Sequence, residues 1–291
     1  MPKTKLLNFI RQVTPPFIFS SIKKSRYYGP LKKWVLGLLG TPSQPKWNTI
    51  SEGILKGRQI FFDPKGSWQK EMINGKYDDF IFNYLKNLDL KDKTLYDIGA
   101  HIGFHSLSFA EIVGERGKVV SFEPNLFNLE RFKIILQKNP DLEQRIRLCE
   151  VAISNNDDHE TFLFSNNIEN GTSSGGFIDS ADTLFERGAY SEFKEVQVRT
   201  IRLDNLEEKL GITDKPDLLK IDVEGAEGLV LAGATETIKK YHPIMVIEVH
   251  SIFSMYQVIN ALRNFGYQTE ILKKEEDGRC LLVANIKNQI V

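Results

Sequence analysis

A chain of 291 residues, 41% hydrophobic and 26% charged, is long enough for one large α/β domain with an appended segment, and its composition excludes bulk disorder. Its 38 basic and 38 acidic residues cancel overall, yet Met1 to Ser51 carry nine basic residues and no acidic one, which leaves the other 240 with an acidic excess. Two cysteines, Cys149 and Cys280, each in an apolar, strand-like run, exclude a disulfide framework or a cysteine metal site and point to a reducing compartment.

The basic arm reads as helical in pieces. Leu6, Leu7, Ile10 and Val13 recur at helical spacing before Pro15-Pro16, and Leu31, Trp34, Val35, Leu38 and Leu39 form a second stripe between Pro30 and Gly40. Arg11 interrupts the first apolar stretch too early for a signal peptide, and no run approaches the ~18 apolar residues of a membrane span. Its cations are interleaved with Leu, Ile, Phe and Trp, which suits a lipid interface better than a phosphate backbone. After a linker at 41–45, residues 50–62 predict a hairpin turning at Lys56-Gly57. This whole N-terminal extension is assigned to residues 1–76.

A domain over residues 77–291 follows. Asp78 and Asp79 open a helix with a core stripe of Phe80, Ile81, Tyr84, Leu85 and Leu88. From Leu95 strand and helix signals alternate, predicting a parallel sheet with helices on both faces. The predicted strands are 95–98, 118–122, 146–153, 217–222 and 244–249, with helices after Gly103, after Pro124-Asn125, over 226–241 and over 257–265. A closing hairpin spans 267–272 and 280–286. The rhythm breaks at a polar insertion over about 155–200, where Glu195 to Ile201 is expected beside Thr161 to Phe164.

The chemistry gathers at strand ends. In Asp97-Ile98-Gly99-Ala100-His101-Ile102-Gly103 the glycines are spaced G-x-x-x-G, not the G-x-G-x-x-G of a dinucleotide site. An aspartate at that strand tip suits a ligand ammonium better than a pyrophosphate, and Glu123, at the tip of the next strand, can accept from ribose hydroxyls. That pair points to S-adenosylmethionine rather than to a nicotinamide cofactor. Two further strand ends meet the same crevice, Lys220-Ile221-Asp222-Val223-Glu224-Gly225-Ala226-Glu227 and Glu248-Val249-His250. His250 is the candidate general base, with an ordinary pKa near ~6.5. Glu248, two residues earlier on the same strand face, would orient it, and Asp222 is the rival base. Asp222, Glu224, Glu248 and His250 offer oxygen-rich ligands for a divalent cation, but no metal is assigned. Glu227 is expected only as a partner of a helix dipole. Substrate contacts are expected from Glu224 and from the polar run holding Asn170, Thr172, Ser173 and Ser174.

These blocks together, in order and spacing from about Leu95 to His250, resemble the FkbM-type S-adenosylmethionine-dependent methyltransferases. The resemblance implies a seven-stranded class I methyltransferase fold, Rossmann-like and mostly parallel, and O-methylation of a hydroxyl, often on a sugar or polyketide. It also implies that Asp97, Gly99 and Gly103 hold the methionine part of the cofactor, Glu123 the ribose and Ala152 the adenine neighbourhood. Ala100, His101, Pro124 and Asp222 complete that set, although the family often has Asn at the position of His101. The favoured substrate is a hydroxyl of a sugar nucleotide, polysaccharide or lipid-linked saccharide. A polyketide O-methyltransferase, a nicotinamide-dependent dehydrogenase and a membrane or nucleic-acid binder with a vestigial fold are the rivals. The expected setting is cytoplasmic, at the inner face of a membrane, with peripheral contact through the arm, a homo-oligomer as a further association, and no nucleic acid.

Overall fold

Among the described residues the order begins with a two-stranded hairpin, β1 (Lys46–Thr49) and β2 (Gln59–Phe62), then two short helices, α1 (Ser67–Ile73) and α2 (Asp79–Leu85). The computed structural model describes residues 45–64, 67–165, 176–178, 193–275 and 278–286. The arm helices expected before Pro45, and Asn170, Thr172, Ser173 and Ser174, lie outside those residues. Among the described residues no helix is long and apolar enough to cross a membrane.

The alternation that starts at Thr94 builds the central sheet. Its elements are β3 (Thr94–Ile98), α3 (Phe104–Val113), β4 (Lys118–Phe122), α4 (Leu126–Lys138), α5 (Pro140–Glu143) and β5 (Ile146–Cys149). An inserted unit follows: β6 (Ala152–Ile153), β7 (His159–Ser165), β8 (Phe177–Ile178), β9 (Phe193–Ile201) and α6 (Leu206–Leu210). The sheet then resumes with β10 (Leu218–Ile221), α7 (Glu227–Gly233), α8 (Thr235–Tyr241), β11 (Ile244–Val249), α9 (Ile252–Asn264), β12 (Gln268–Lys274) and β13 (Cys280–Asn285). Seven strands lie in the order β12-β13-β11-β10-β3-β4-β5. All neighbours are parallel except β13, which runs antiparallel to both β11 and β12.

This is the seven-stranded, mostly parallel sheet expected from the sequence. Side chains alternate across each strand, so Leu95 and Val119 join one buried layer while Tyr96, Ile98, Val120 and Phe122 join the layer on the other face. A sheet covered on both faces needs near-continuous apolar strands, and every residue of β10 is buried. One of them, Lys220, is charged. Strand order reverses between β3 and β10, and at such a switch point the connecting loops diverge and leave a crevice beyond the strands' carboxyl ends.

Several boundaries differ from expectation for local reasons. The apolar run 146–153 divides, because β5 ends the central sheet while β6 pairs with β9 in a separate sheet of order β6-β9-β7-β8. There β7 and β9 are antiparallel, with Thr161 opposite Gln197, as the sequence predicts. The helix expected over 226–241 breaks at Ala234, between α7 and α8. Helix α9 starts at Ile252 rather than 257: the Ser251 hydroxyl accepts from the Ser254 amide at 2.9 Å, a cap for the first turn. Ile252, Phe253 and Tyr256 are exposed, so that turn lacks an inward stripe.

The domain boundary also moves. The hairpin's strands are 46–49 and 59–62, so the turn at Lys56-Gly57 falls where the sequence predicts while the first strand lies earlier than 50, and the described unit starts at Pro45 rather than at 77. Arg58 ties the hairpin to the sheet's helices: its guanidinium donates to Glu111 at 2.7 Å and to both oxygens of Asp141 at 2.7 Å. Ile50, Leu55, Ile60, Phe62 and Met72 are buried in the same core cluster as Leu95 and Phe132. Each such side chain contributes about 1.5–3 kcal/mol, so the five together match the roughly 5–15 kcal/mol that holds a domain folded. A chain shortened to begin at Tyr77 should therefore fail to give a cooperative thermal transition, whereas one beginning at Pro45 should melt cooperatively. A sharp transition in the shorter chain would show that these contacts are dispensable.

Candidate active site

The loops at the switch point enclose a cavity of about 710 Å³, within the usual range for a small-molecule site. One half is apolar, walled by Ile98, Phe122, Val151, Ala152 and Ile153, with Phe162 and Ile178 of the inserted sheet also lining it. The other half is charged and belongs to Asp222, Glu224, Glu248 and His250, with Lys273, Glu275 and Arg279 also at its wall.

Between the halves lies Lys220. Its ammonium stands 3.1 Å from Asp222 Oδ2, 3.4 Å from Asp97 Oδ1 and 3.3 Å from the Gly99 carbonyl. Burial works to lower the Lys220 pKa, but Asp222 and Asp97 outweigh it and hold the group above its ordinary value. Asp222 feels its own burial first, which raises it, yet Lys220 and His250 draw it down to about 2. Asp97 is fully buried, and its other oxygen accepts from Ser106 Oγ at 2.5 Å, which in turn accepts from Ser121 Oγ at 2.8 Å. It does not line the cavity. Ser106 and Lys220 hold it beneath the turn that is expected to take the methionine part of the cofactor.

The glycines serve packing as much as ligand approach. Gly99 sits at φ +83°, and a Cβ there would lie 1.8 Å from the Asp222 carbonyl oxygen. Gly103, at φ +87°, starts α3 with its Cα against Phe132, whose ring a Cβ would meet at 2.1 Å. Gly103 does not itself line the cavity, and its lack of a side chain lets α3 pack on Phe132. Gly99, Ala100, His101, Pro124 and Ala152 do line it.

Glu123 is where the sequence placed it. It is 5% exposed, and it accepts from the His101 amide at 2.8 Å, the Asn125 amide at 2.9 Å and Asn128 Nδ2 at 3.2 Å. A carboxylate has about four acceptor positions, so roughly one is left for a ligand hydroxyl rather than the two expected. Burial pushes its pKa up to about 7 against those hydrogen bonds. His101 occupies a left-handed turn at φ 52°, and burial lowers its imidazole to about 4.

His250 is held from behind. Its Nδ1 lies 2.7 Å from Glu227 Oε1, a fully buried carboxylate that also accepts from the Gly225 amide at 2.9 Å. Glu227 does open α7, but it faces inward and fixes an imidazole instead of serving only the helix dipole. The His250 Nε2 faces Glu224 Oε2 at 3.4 Å, Asp222 Oδ1 at 3.6 Å and Glu248 Oε1 at 3.8 Å. Burial would lower its pKa, but Glu224, Glu227 and Asp222 outweigh it and lift the group well above 6.5. These carboxylates favour the protonated ring, in the opposite direction to what a base titrating near 6.5 needs. Glu248 is pushed by burial, then by Asp222, up to about 8, and Arg279 Nη1 stands 3.4 Å from it.

Sequence reasoning missed Lys220, Glu227 and the aromatic wall. Trp68 and Tyr77 line the cavity with ring centroids 6.2 Å apart, and Trp68 also stacks near His101 at 6.1 Å. Both belong to the segment assigned to an extension or its border. Lys220 had a signal, a lone cation inside the apolar run Leu218–Ile221.

The strand order and the acid-flanked turn between β3 and α3 define a class I methyltransferase. A family model described as the Methyltransferase FkbM domain matches residues 97–269, and the chain belongs to that family. It is 26% identical over 212 residues to the hexuronic acid methyltransferase AglP of Haloferax volcanii, covering 72% of this chain and 77% of that protein. It is 30% identical over 156 residues to the 2-O-methyltransferase NoeI of Sinorhizobium fredii, covering 53% and 62% respectively. A crystal structure of methyltransferase FkbM from Methylobacillus flagellatus gives a TM-score of 0.48 at 16% identity, over 75% of this chain and 52% of that one.

Gly99→Ala should cost about 2–5 kcal/mol, combining left-handed strain of ~1–2 kcal/mol with overpacking of ~1–3 kcal/mol. Urea denaturation measures it directly. A change within about 0.5 kcal/mol, the range of an ordinary surface substitution, would mean that the β3 and β10 tips are not locked together at this glycine.

Proposed function

We propose that this chain transfers a methyl group from S-adenosylmethionine to a hydroxyl of a sugar or glycan, with sugar nucleotides, polysaccharides and lipid-linked saccharides as the acceptor classes. The observation that carries the reading is one cavity with a buried carboxylate, Glu123, beside an apolar slot, and a carboxylate-imidazole group across from it. The residues present fit the cofactor. Glu123 has a position left for a ribose hydroxyl, and Val151, Ala152 and Ile153 offer an adenine ring an apolar wall. The acidic half complements a positive sulfonium. Bound there, the cofactor supplies a methyl already activated for transfer.

The chain's own groups then orient the acceptor and take its proton. Trp68 and Tyr77 give the apolar face of a sugar ring something to lie on, while Asp222 and Glu224 accept from its hydroxyls. Glu248, raised to about 8, is the carboxylate placed to receive the proton of the reacting hydroxyl once it is itself ionised, so turnover should rise with pH through that value. Support for a sugar comes from the relatives: one is named for a hexuronic acid and the other for a 2-O position. The absent G-x-G-x-x-G and the family match count against a dehydrogenase.

Two measurements test this. Glu123 must be ionised to accept from a ribose hydroxyl, and its carboxyl is raised to about 7 in the free protein. Lowering the pH through that value then makes binding pay for removal of a proton. Calorimetric affinity for S-adenosylmethionine should fall about tenfold from pH 8 to pH 6, and Glu123→Gln should be weaker but flat with pH. An unchanged slope in the variant would remove Glu123 from the ribose.

Transfer of a labelled methyl to a panel of uronic-acid and neutral sugar nucleotides and lipid-linked glycans should identify an acceptor. On it, Glu248→Gln should lower turnover about 10²–10⁴-fold with cofactor affinity nearly unchanged. Full turnover in that variant would move the proton transfer elsewhere, and transfer only to a polyketide hydroxyl would replace the sugar reading.

A further inference from the structure

We infer that Asp222, Glu224 and His250 form a binding site for one divalent cation of the Mg²⁺ or Mn²⁺ type, at the wall of the cavity. One ligand atom from each of the three lies within 4.8 Å of the others. The His250 Nε2 is 3.4 Å from Glu224 Oε2 and 3.6 Å from Asp222 Oδ1. Bonds of about 2.1 Å at right angles place neighbouring ligands about 3 Å apart, so the two His250 contacts are already within a few tenths of an ångström of that spacing.

The second observation is the imidazole itself. His250 is 3% exposed at its side chain, and its Nε2 makes no hydrogen bond among the described residues although it points between carboxylate oxygens. Its other nitrogen is engaged by Glu227 at 2.7 Å. If Nδ1 carries the proton toward Glu227, the Nε2 lone pair is aimed at the Asp222–Glu224 gap. A carboxylate behind a ligating histidine is the usual way a protein fixes tautomer and ring orientation for a metal.

Charge and ligand type agree. Asp222, Glu224, Glu227 and Glu248 surround the ring, against the cations Lys220 and Arg279. Two carboxylates to one imidazole and no thiolate favour the harder cations over copper or a structural zinc. All three residues line the cavity, so positions not taken by protein face its interior and can accept water or two oxygens of a hydroxyl-rich ligand. A hydroxyl on such an ion is a stronger acid, and Glu248 stands 3.8 Å from the same Nε2 to receive its proton. Use of the ion by the acceptor rests on the methyltransferase reading; the ion site itself stands on geometry.

The test is titration of full-length, EDTA-treated and desalted protein with MnCl₂, following the loss of the free Mn²⁺ electron paramagnetic resonance signal. Wild type should bind close to one Mn²⁺ per chain. His250→Ala and Glu224→Gln should each bind at least tenfold more weakly, and Glu227→Gln about 10–100-fold more weakly through loss of the group behind the histidine. Circular dichroism and metal-free S-adenosylmethionine titration accompany each variant. Should His250→Ala unfold, Glu224→Gln decides, since it removes one charge from a partly exposed loop side chain. Less than about 0.1 Mn²⁺ per wild-type chain, or folded variants that bind like wild type, overturns the site. Mn²⁺ binding without cofactor binding would leave the site standing and sink the methyltransferase reading, and the converse result would do the reverse.

Discussion

The ammonium of Lys220 is the contact around which the site is arranged. It joins the tips of β3 and β10 by touching Asp97 and the Gly99 carbonyl on one strand and Asp222 on the other. A buried charge with a single partner would be costly, because the desolvation penalty per ion is several kcal/mol. Here one cation meets two carboxylates and a carbonyl, and Ser106 satisfies part of the second shell. Removing Lys220 would leave the buried Asp97 and the cavity-lining Asp222 without their shared cation, so its contribution is to make two acids tolerable at one switch point.

That arrangement divides the work of the acids. Asp97 is buried between Lys220 and Ser106, whereas Asp222 is held ionised with one oxygen on Lys220 and the other toward His250. Glu123 is built differently: it has no salt-bridging partner among the described contacts, only amide donors, and burial leaves its carboxyl near 7. One carboxylate is therefore fixed in its charge by a neighbouring cation, and the other changes charge in the physiological range. Position at a strand tip alone does not tell these cases apart; the identity of the facing group does.

How much could be read from the sequence follows from where each signal lives. Strands β3, β4, β10 and β11 were legible because a sheet covered on both faces requires unbroken apolar runs, and Leu218–Ile221 or Ile244–Val249 have little other place to go. Glu123 and His250 were legible because a strand end fixes their location. The role of Lys220 was not, although the residue stood out, since nothing local says which acids a buried lysine will meet. Glu227 was misread because its spacing suits the first turn of a helix and only the tertiary fold shows that it faces His250 instead of solvent. The hairpin and α1 were assigned to an extension because they are short, and their apolar residues declare themselves as core only against α2 and the sheet.

Under the proposed function, the parts that fix the methyl donor and the parts that meet the acceptor come from different kinds of sequence. Donor-side groups sit on sheet strands and their first turns, where backbone geometry leaves little freedom. The rest of the cavity wall comes from Trp68 and Tyr77 before the sheet, from Phe162, Gly176 and Ile178 in the inserted sheet, and from Lys273, Glu275 and Arg279 in the final hairpin. Only segments outside the repeating strand-helix unit can change length or composition without disturbing the switch point. A scaffold of this kind can keep one donor site while the chemistry of its acceptor is set by three peripheral insertions, which is why the reaction class was readable from strand ends and the acceptor was not.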